Sequence, residues 1–276
     1  MIRIEEEFHA GYFIRLVASR TIKYSANALR PLFLLHHLFR PSKRYTLPHH
    51  APAIFRSKSS RSIPRIVWQT NYTDRVTLAV YASFLMNRLM APTFEYRFHN
   101  DEEMDRFVEE NCSPETAAAF AKLQIGAARA DFWRILVLLK HGGVYLDMDA
   151  NFVWPPERFI RENDEHFFIF DRSGEVTNFL LASAPDNPVF ERLESFLRDN
   201  IDAGKLGSVF DMTGPIAIGN CLADEPVEMH SFRNVCHQGQ FTNPRLQYPD
   251  KGRMKWSSEQ KLKSILRRDL GKADAE

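Results

Sequence analysis

Apolar and polar positions along this chain follow two periods, and the change from one to the other locates most of its elements. Residues 127–141 (AARADFWRILVLLKH) are apolar on nearly every side, which predicts a buried helix rather than a surface one. Gly142 and Gly143 end that helix, and Val144, Tyr145 and Leu146 open a strand that runs into Asp147. Residues 63–70 (IPRIVWQT) form a short apolar run after a proline, as expected of a buried first strand, and 94–99 (FEYRFH) alternate as a second strand. Helices are expected at about 101–110 and 114–123, the latter capped by Ser113 with Pro114 at its first position. Further strands are expected at 166–170 and 178–182, with helices at 187–199 and after Pro215. Helices alternating with short apolar strands indicate an α/β fold, a mostly parallel central sheet flanked by helices.

The ends of the chain read differently. Residues 8–40 mix apolar and basic positions, and Pro31 is expected to divide them into two short helices. Residues 41–62, with three prolines and the SKSSRS stretch, read as a linker. This gives a basic helical extension and linker over 1–61, a catalytic domain over 62–260 and a basic tail over 261–276. Residues 1–61 hold eleven Lys and Arg against three Glu, whereas the whole chain has a net charge of +1. The balance gives no case for nucleic acid, but the local excess is what an anionic membrane surface attracts. An amphipathic surface anchor and a helix pair packed on the main domain both fit residues 8–40.

Three cysteines without a CxxC exclude a zinc knuckle and suit reduced thiols. No run is long enough to span a bilayer, and the acidic start lacks the order of a secretory signal, so a cytoplasmic location is expected, with the inner face of a membrane as a resting place. Walker, GxGxxG, HExxH and Ser-His-Asp patterns are absent.

Asp147-Met148-Asp149 places two carboxylates two residues apart at a strand end, where an extended backbone points both the same way. Such hard oxygen donors suit Mn²⁺ or Mg²⁺ beside diphosphate oxygens. With 16 Asp in 276 residues, chance alone supplies roughly one such pair, so the neighbourhood decides. Asp131 and Arg134 stand three apart on the buried helix, either as a structural ion pair or with both tips at the pocket. The glycine turn brings all four to one cleft at the carboxyl ends of the strands.

The stretch ARADFWRILVLLKHGGVYLDMDANF closely resembles the D-x-D sugar-binding region of glycosyltransferase family 32, which includes fungal α-mannosyltransferases and bacterial capsule or lipopolysaccharide sugar transferases. IPRIVWQT, FEYRFHNDEE, NFLLASAPDNPVF and the Thr213-Gly214-Pro215 turn resemble further segments of the family. The resemblance covers about residues 62–220. It implies a GT-A type fold, a nucleotide-diphosphate sugar donor carried by UDP or GDP, Mn²⁺ or Mg²⁺, a glycan or glycolipid acceptor, and retention of configuration. By position it implies that Asp131 and Arg134 hold the donor sugar and diphosphate. Asp147 contacts ribose or sugar, often through the metal's water shell, and Asp149 ligates the metal. Trp68 and Gln69 then lie near the base and Asn178 near the donor sugar. A C-terminal contact is expected from His237, as metal or phosphate ligand, and Trp256 is expected to close over the donor. Two rival readings of the acidic pair are a metal-dependent nucleotidyltransferase or phosphohydrolase, and a non-catalytic partner subunit of a transferase.

Overall fold

In a computed structural model, residues 3–4, 10–250 and 256–267 are described. The strands are β1 (Arg3–Ile4), β2 (Tyr45–Thr46), β3 (His50–Ala51), β4 (Ile66–Thr70), β5 (Arg75–Val76), β6 (Glu95–His99), β7 (Gly143–Leu146), β8 (Ala150–Phe152), β9 (His166–Phe170), β10 (Val176–Ser183), β11 (Glu228–Ser231) and β12 (Cys236–Gln238). The helices are α1 (Ala10–Phe39), α2 (Leu78–Met90), α3 (Asp101–Asn111), α4 (Pro114–Lys122), α5 (Gly126–His141), α6 (Pro156–Phe159), α7 (Pro188–Ala203), α8 (Val209–Met212), α9 (Pro215–Leu222), α10 (Pro244–Gln247) and α11 (Trp256–Gln260).

Eight strands form one mixed sheet in the order β1-β11-β9-β10-β7-β4-β6-β3. Pairings β1/β11, β11/β9, β7/β4 and β4/β6 are parallel, and β9/β10, β10/β7 and β3/β6 are antiparallel. The chain is thus α/β, a central sheet flanked by helices. Residues 45–51, in the proline-bearing stretch read as linker, supply two short strands. β3 extends the sheet edge beside β6, and β2 pairs with β5.

Both faces of the sheet are covered, and the alternation of side chains along each strand sorts them into two cores. On β7, Tyr145 joins a core with Phe132, Trp133 and Phe190 beneath α5 and α7, while Val144 and Leu146 join another with Phe84, Tyr96 and Phe152 beneath α2. Each large apolar side chain buried this way contributes roughly 1.5–3 kcal/mol. α5 has buried residues on all sides, as its unpatterned apolar sequence implied. It ends where Gly142 and Gly143 take φ of 64° and 106°. A Cβ on Gly143 would meet the Ile66 carbonyl at 2.8 Å, so β7 can lie against β4 only without one.

Pro31 does not divide the first helix. α1 runs unbroken for 30 residues with Pro31 inside it. The ring removes the N–H that would bond the Asn27 carbonyl, but Asn27 and Pro31 are both exposed, so water can take that carbonyl. The opposite side of α1 is anchored: Ala26 and Phe33 pack with Ala79, Phe241 and Leu246. Arg30 donates to the carbonyls of Gly239 at 2.6 Å and Gln240 at 2.8 Å.

Candidate active site

The glycine turn after α5 delivers β7 to the middle of the sheet, and the chain leaves β7 through a tight turn at Asp147. The Ala150 N–H bonds the Asp147 carbonyl at 2.9 Å, which closes a four-residue turn over Asp147-Met148-Asp149-Ala150. Asp147 and Asp149 therefore share a pocket because a turn folds them toward each other, not because an extended strand alternates. Met148 between them is buried. Polar side chains of α2 fasten the far end of the turn. Asn87 donates to the Ala150 carbonyl at 2.9 Å and accepts from the Phe152 N–H at 3.0 Å, and Asn151 donates to the Ser83 hydroxyl at 2.9 Å.

Around this turn the structure gathers two carboxylates on one guanidinium, with a third beside them. Arg134 contacts Asp131 at 2.9 Å and Asp147 at 3.2 Å. It also donates to the Asn178 carbonyl and, through Nε, to the Ala130 carbonyl at 3.2 Å. Its plane lies over the Tyr145 ring, 4.3 Å from the centroid, and the Tyr145 hydroxyl donates to Asp147 at 2.9 Å. Asn178 donates its side-chain amide to Asp131 at 2.9 Å, and the Thr213 hydroxyl is a further partner of that carboxylate. Gln238 bridges the two acids of the turn, its Nε2 lying 3.1 Å from Asp147 Oδ2 and 3.1 Å from Asp149 Oδ1.

The electrostatics follow from burial and charge count. Asp131, Asp147 and Asp149 face a single Arg134, so full ionisation leaves two uncompensated negative charges. Burial, with Asp147 adding to it, lifts Asp131 to about 7 against the opposing pull of Arg134. Burial and then the Asp147 charge lift Asp149 to about 7 as well. Burial works against the Arg134 charge, yet Asp147, Tyr145, Asp131 and Asp149 outweigh it and hold the guanidinium above its ordinary value. Burial and Arg134 act in opposite directions on Tyr145, and burial wins, so its phenol is held protonated.

Several of the residues singled out from sequence are brought together here, and others are not. Asp131, Arg134, Asp147, Asp149 and Asn178 form one connected group. Gln69 touches it from β4, donating to the Asp147 carbonyl at 3.1 Å and leaving its own Oε1 buried without a partner. Arg134 directs its donors to Asp131, Asp147 and two carbonyls, and so clamps the acids from behind. Trp68 lies apart from this group. Its indole N–H bonds the Gly142 carbonyl at 2.8 Å and its ring lies between His99 and His141, at 5.7 and 5.8 Å. Adjacent strand residues point to opposite faces, so Trp68 fills the core while Gln69 reaches the site.

The same rule places His237. Its Nε2 lies 2.6 Å from the Ser19 hydroxyl of α1, and Gln238, one residue on, takes the position facing the acids. Burial, with Lys23 and several arginines nearby, lowers the His237 imidazole to about 4. The side chain of Trp256 lies outside the described residues. Tyr145, Thr213 and Gln238 were not singled out as site residues. Tyr145 carries the one usable signal, a period-two offset from Asp147. The contact of Gln238 depends on β12 pairing with β8, which local sequence does not reveal.

The fit to a divalent cation rests on the donor set. Two carboxylate oxygens already converge on one N–H₂ group, and one divalent ion would balance the two surplus negative charges that full ionisation of the three acids leaves. Mg²⁺-type ions are commonly held by one or two carboxylates with substrate phosphates and water completing the shell, so two protein ligands suffice. A separate cavity of about 560 Å³, lined by residues including Tyr72, Arg44, Arg75 and Asp250, contains none of the three acids. Tyr72 in its wall lies 6.3 Å, centroid to centroid, from Tyr248. The Tyr248 hydroxyl is kept protonated by burial and by the charges of Asp149 and Asp147.

Residues 65–166 match the family model described as "Glycosyltransferase sugar-binding region containing DXD motif". The chain is similar to the "Initiation-specific alpha-1,6-mannosyltransferase" of Candida albicans, 26% identical over 162 residues, covering 54% of this chain and 42% of that protein. It is also similar to the protein of the same description in Schizosaccharomyces pombe, 25% identical over 213 residues, covering 65% of this chain and 50% of that one. The chain thus spans about half the length of the curated relatives it matches. The solved PaToxG glycosyltransferase aligns over 78% of this chain and 79% of its own, at 13% identity and a TM-score of 0.48.

Proposed function

We propose that this chain, whose residues 65–166 are a glycosyltransferase sugar-binding region with a DXD motif, moves a hexose from a nucleotide-diphosphate sugar to a hydroxyl of a glycan or glycolipid. The observation that carries this is the convergence of Asp147 and Asp149 on one point beside a buried Asp131–Arg134 pair. Mannosyltransferases among the relatives make mannose the first donor sugar to try. We take the architecture to be of GT-A type, with retention of configuration.

Asp149 and Asp147 would hold Mn²⁺ or Mg²⁺, which supplies charge neutralisation for the departing diphosphate. The chain's own residues do the rest. Arg134 fixes Asp131 and Asp147 in place, so the acids need no reorganisation when a donor arrives. Asn178 and Thr213 orient Asp131, which is placed to accept from sugar hydroxyls. Gln69 offers an unpartnered buried acceptor to the nucleotide. Gln238 is placed to exchange its two carboxylate contacts for the ligand.

The test is a panel of UDP- and GDP-sugars with Mn²⁺, read by donor hydrolysis and thermal shift. At least one nucleotide sugar should be hydrolysed and should raise Tm only with the metal. Release of inorganic phosphate in place of free sugar would favour the phosphohydrolase reading. Metal-dependent binding without turnover would favour a non-catalytic partner subunit.

A further inference from the structure

α1 is apolar on two opposite sides, and among the described residues only one of them has a protein partner. Ser19, Ala26 and Phe33, spaced by seven residues, are buried against the body of the molecule. At about 100° per residue, Phe13, Val17, Tyr24, Leu35 and Leu38 fall within about 60° of one another on the opposite side. All five are exposed, Phe13 by 68% and Leu38 by 72%. Leu32 and Phe39 widen the same side, and Phe39 is 80% exposed. The stripe runs for about 39 Å, far beyond the scattered apolar residues expected on a soluble surface.

Charge decides what fits this stripe. No Asp or Glu occurs between Glu7 and Asp74, while Arg20, Lys23, Arg40 and Lys43 lie on α1 or just after it; Arg15 and Arg30 turn inward to carbonyls of the body. A second copy of the chain would bring two such acid-free stretches together, whereas an anionic lipid surface complements them. No helix among the described residues is long and apolar enough to cross a membrane. A helix of this kind lies in the plane of the interface, with its apolar side sunk to the acyl boundary and its basic flanks at the headgroups.

We propose that the outer side of α1 is a docking surface for an anionic phospholipid bilayer, with Phe13, Val17, Tyr24, Leu35 and Leu38 as the inserted side chains. The placement also ties the surface to the acidic cleft. On β12, His237 holds α1 through Ser19 while the next residue, Gln238, touches Asp147 and Asp149. A bilayer against α1 therefore lies behind the wall of the acidic cleft. The inference stands on α1 alone and does not depend on the proposed reaction.

The experiment is co-sedimentation of the full chain with vesicles of phosphatidylcholine alone or mixed with phosphatidylglycerol, at low and high salt. The wild-type chain should pellet with the phosphatidylglycerol vesicles and much less with phosphatidylcholine, and salt should weaken the binding. Val17→Asp combined with Leu35→Asp should lower binding at least about tenfold, since charges at the acyl boundary are strongly disfavoured. If that variant loses Tm, Leu38→Gln with Phe39→Gln at the helix end replaces it. Equal binding by wild type and a folded variant, or no vesicle binding by the wild type, overturns the proposal. So does a concentration-dependent dimer that the substitutions abolish without any vesicle binding, which would assign the stripe to a second copy.

Discussion

The acidic cleft and the outer side of α1 break the ordinary rule of protein surfaces in opposite ways. In the cleft, Asp131 and Arg134 are buried and Asp147 and Asp149 half-buried; on α1, phenylalanines and leucines are exposed. Both arrangements cost stability compared with the reverse, because ions lose hydration on burial and apolar surface gains nothing in water. The difference lies in how completely each is compensated within the chain. The buried charges hold one another through Arg134, Asn178, Tyr145 and Gln238, and still carry an excess of negative charge. The apolar stripe of α1 is supported only from behind. One region is a folded network with a residual charge to fill, and the other is a finished helix with a spare face.

Arg134→Ala should produce the largest effect, because it removes the positive charge paired with both Asp131 and Asp147. Removing one partner of a buried ion group typically costs about 3–5 kcal/mol. Turnover should fall by about two to four powers of ten as the acids lose their fixed positions. Chemical denaturation and donor hydrolysis read the two effects, and Arg134→Lys should recover part of the stability but little of the rate, since one ammonium cannot replace the guanidinium fork. A loss of only a few tenths of a kcal/mol would mean the clamp described here is idle. At the other extreme, the Val17→Asp and Leu35→Asp pair should leave Tm nearly unchanged in solution.

A smaller effect is expected from pH. Asp131 and Asp149 are lifted from 3.8 to about 7 by burial and neighbouring acid, so the folded state keeps protons that the unfolded chain has already released. The unfolded state then binds fewer protons, and stability falls as pH rises through about 7. Histidines lowered by burial, His99, His141, His166 and His237, act in the opposite sense, but only below about 6.5 where the unfolded imidazole takes a proton. Between pH 6.5 and 8 the acids are thus the groups in play. Metal-free protein in EDTA should lose on the order of 1 kcal/mol across that window, and Mn²⁺ should flatten the slope. A slope unaffected by Mn²⁺ would detach the acids from cation binding.

Much of this contrast was legible in the sequence where structure is local. The unpatterned apolar run of α5, its glycine stop and the acids that follow fixed the cleft's centre, since helix, turn and strand are contiguous. What sequence could not show depended on pairing between distant segments. β12 beside β8 put Gln238 rather than His237 at the acids, and α2, whose Asn87 secures the turn, had not been recognised as an element at all. Trp68 and Gln69 were both placed near the base by the resemblance of IPRIVWQT to a family strand, although a strand sends the two side chains to opposite faces. Pro31 misled for an energetic reason: a break in α1 was expected from its missing N–H, but the contacts of Ala26, Arg30 and Phe33 hold the helix through it.

The claim that the buried charge of the cleft serves a ligand rather than the fold is tested most directly in Asp149→Asn, by calorimetric titration of UDP and GDP with Mn²⁺ alongside a thermal melt. The account expects the variant to melt at or above the wild-type temperature, having lost a repelled acid, while Mn²⁺-dependent nucleotide binding weakens at least about a hundredfold. A variant that binds nucleotide and metal as the wild type does, or one that unfolds, would contradict it.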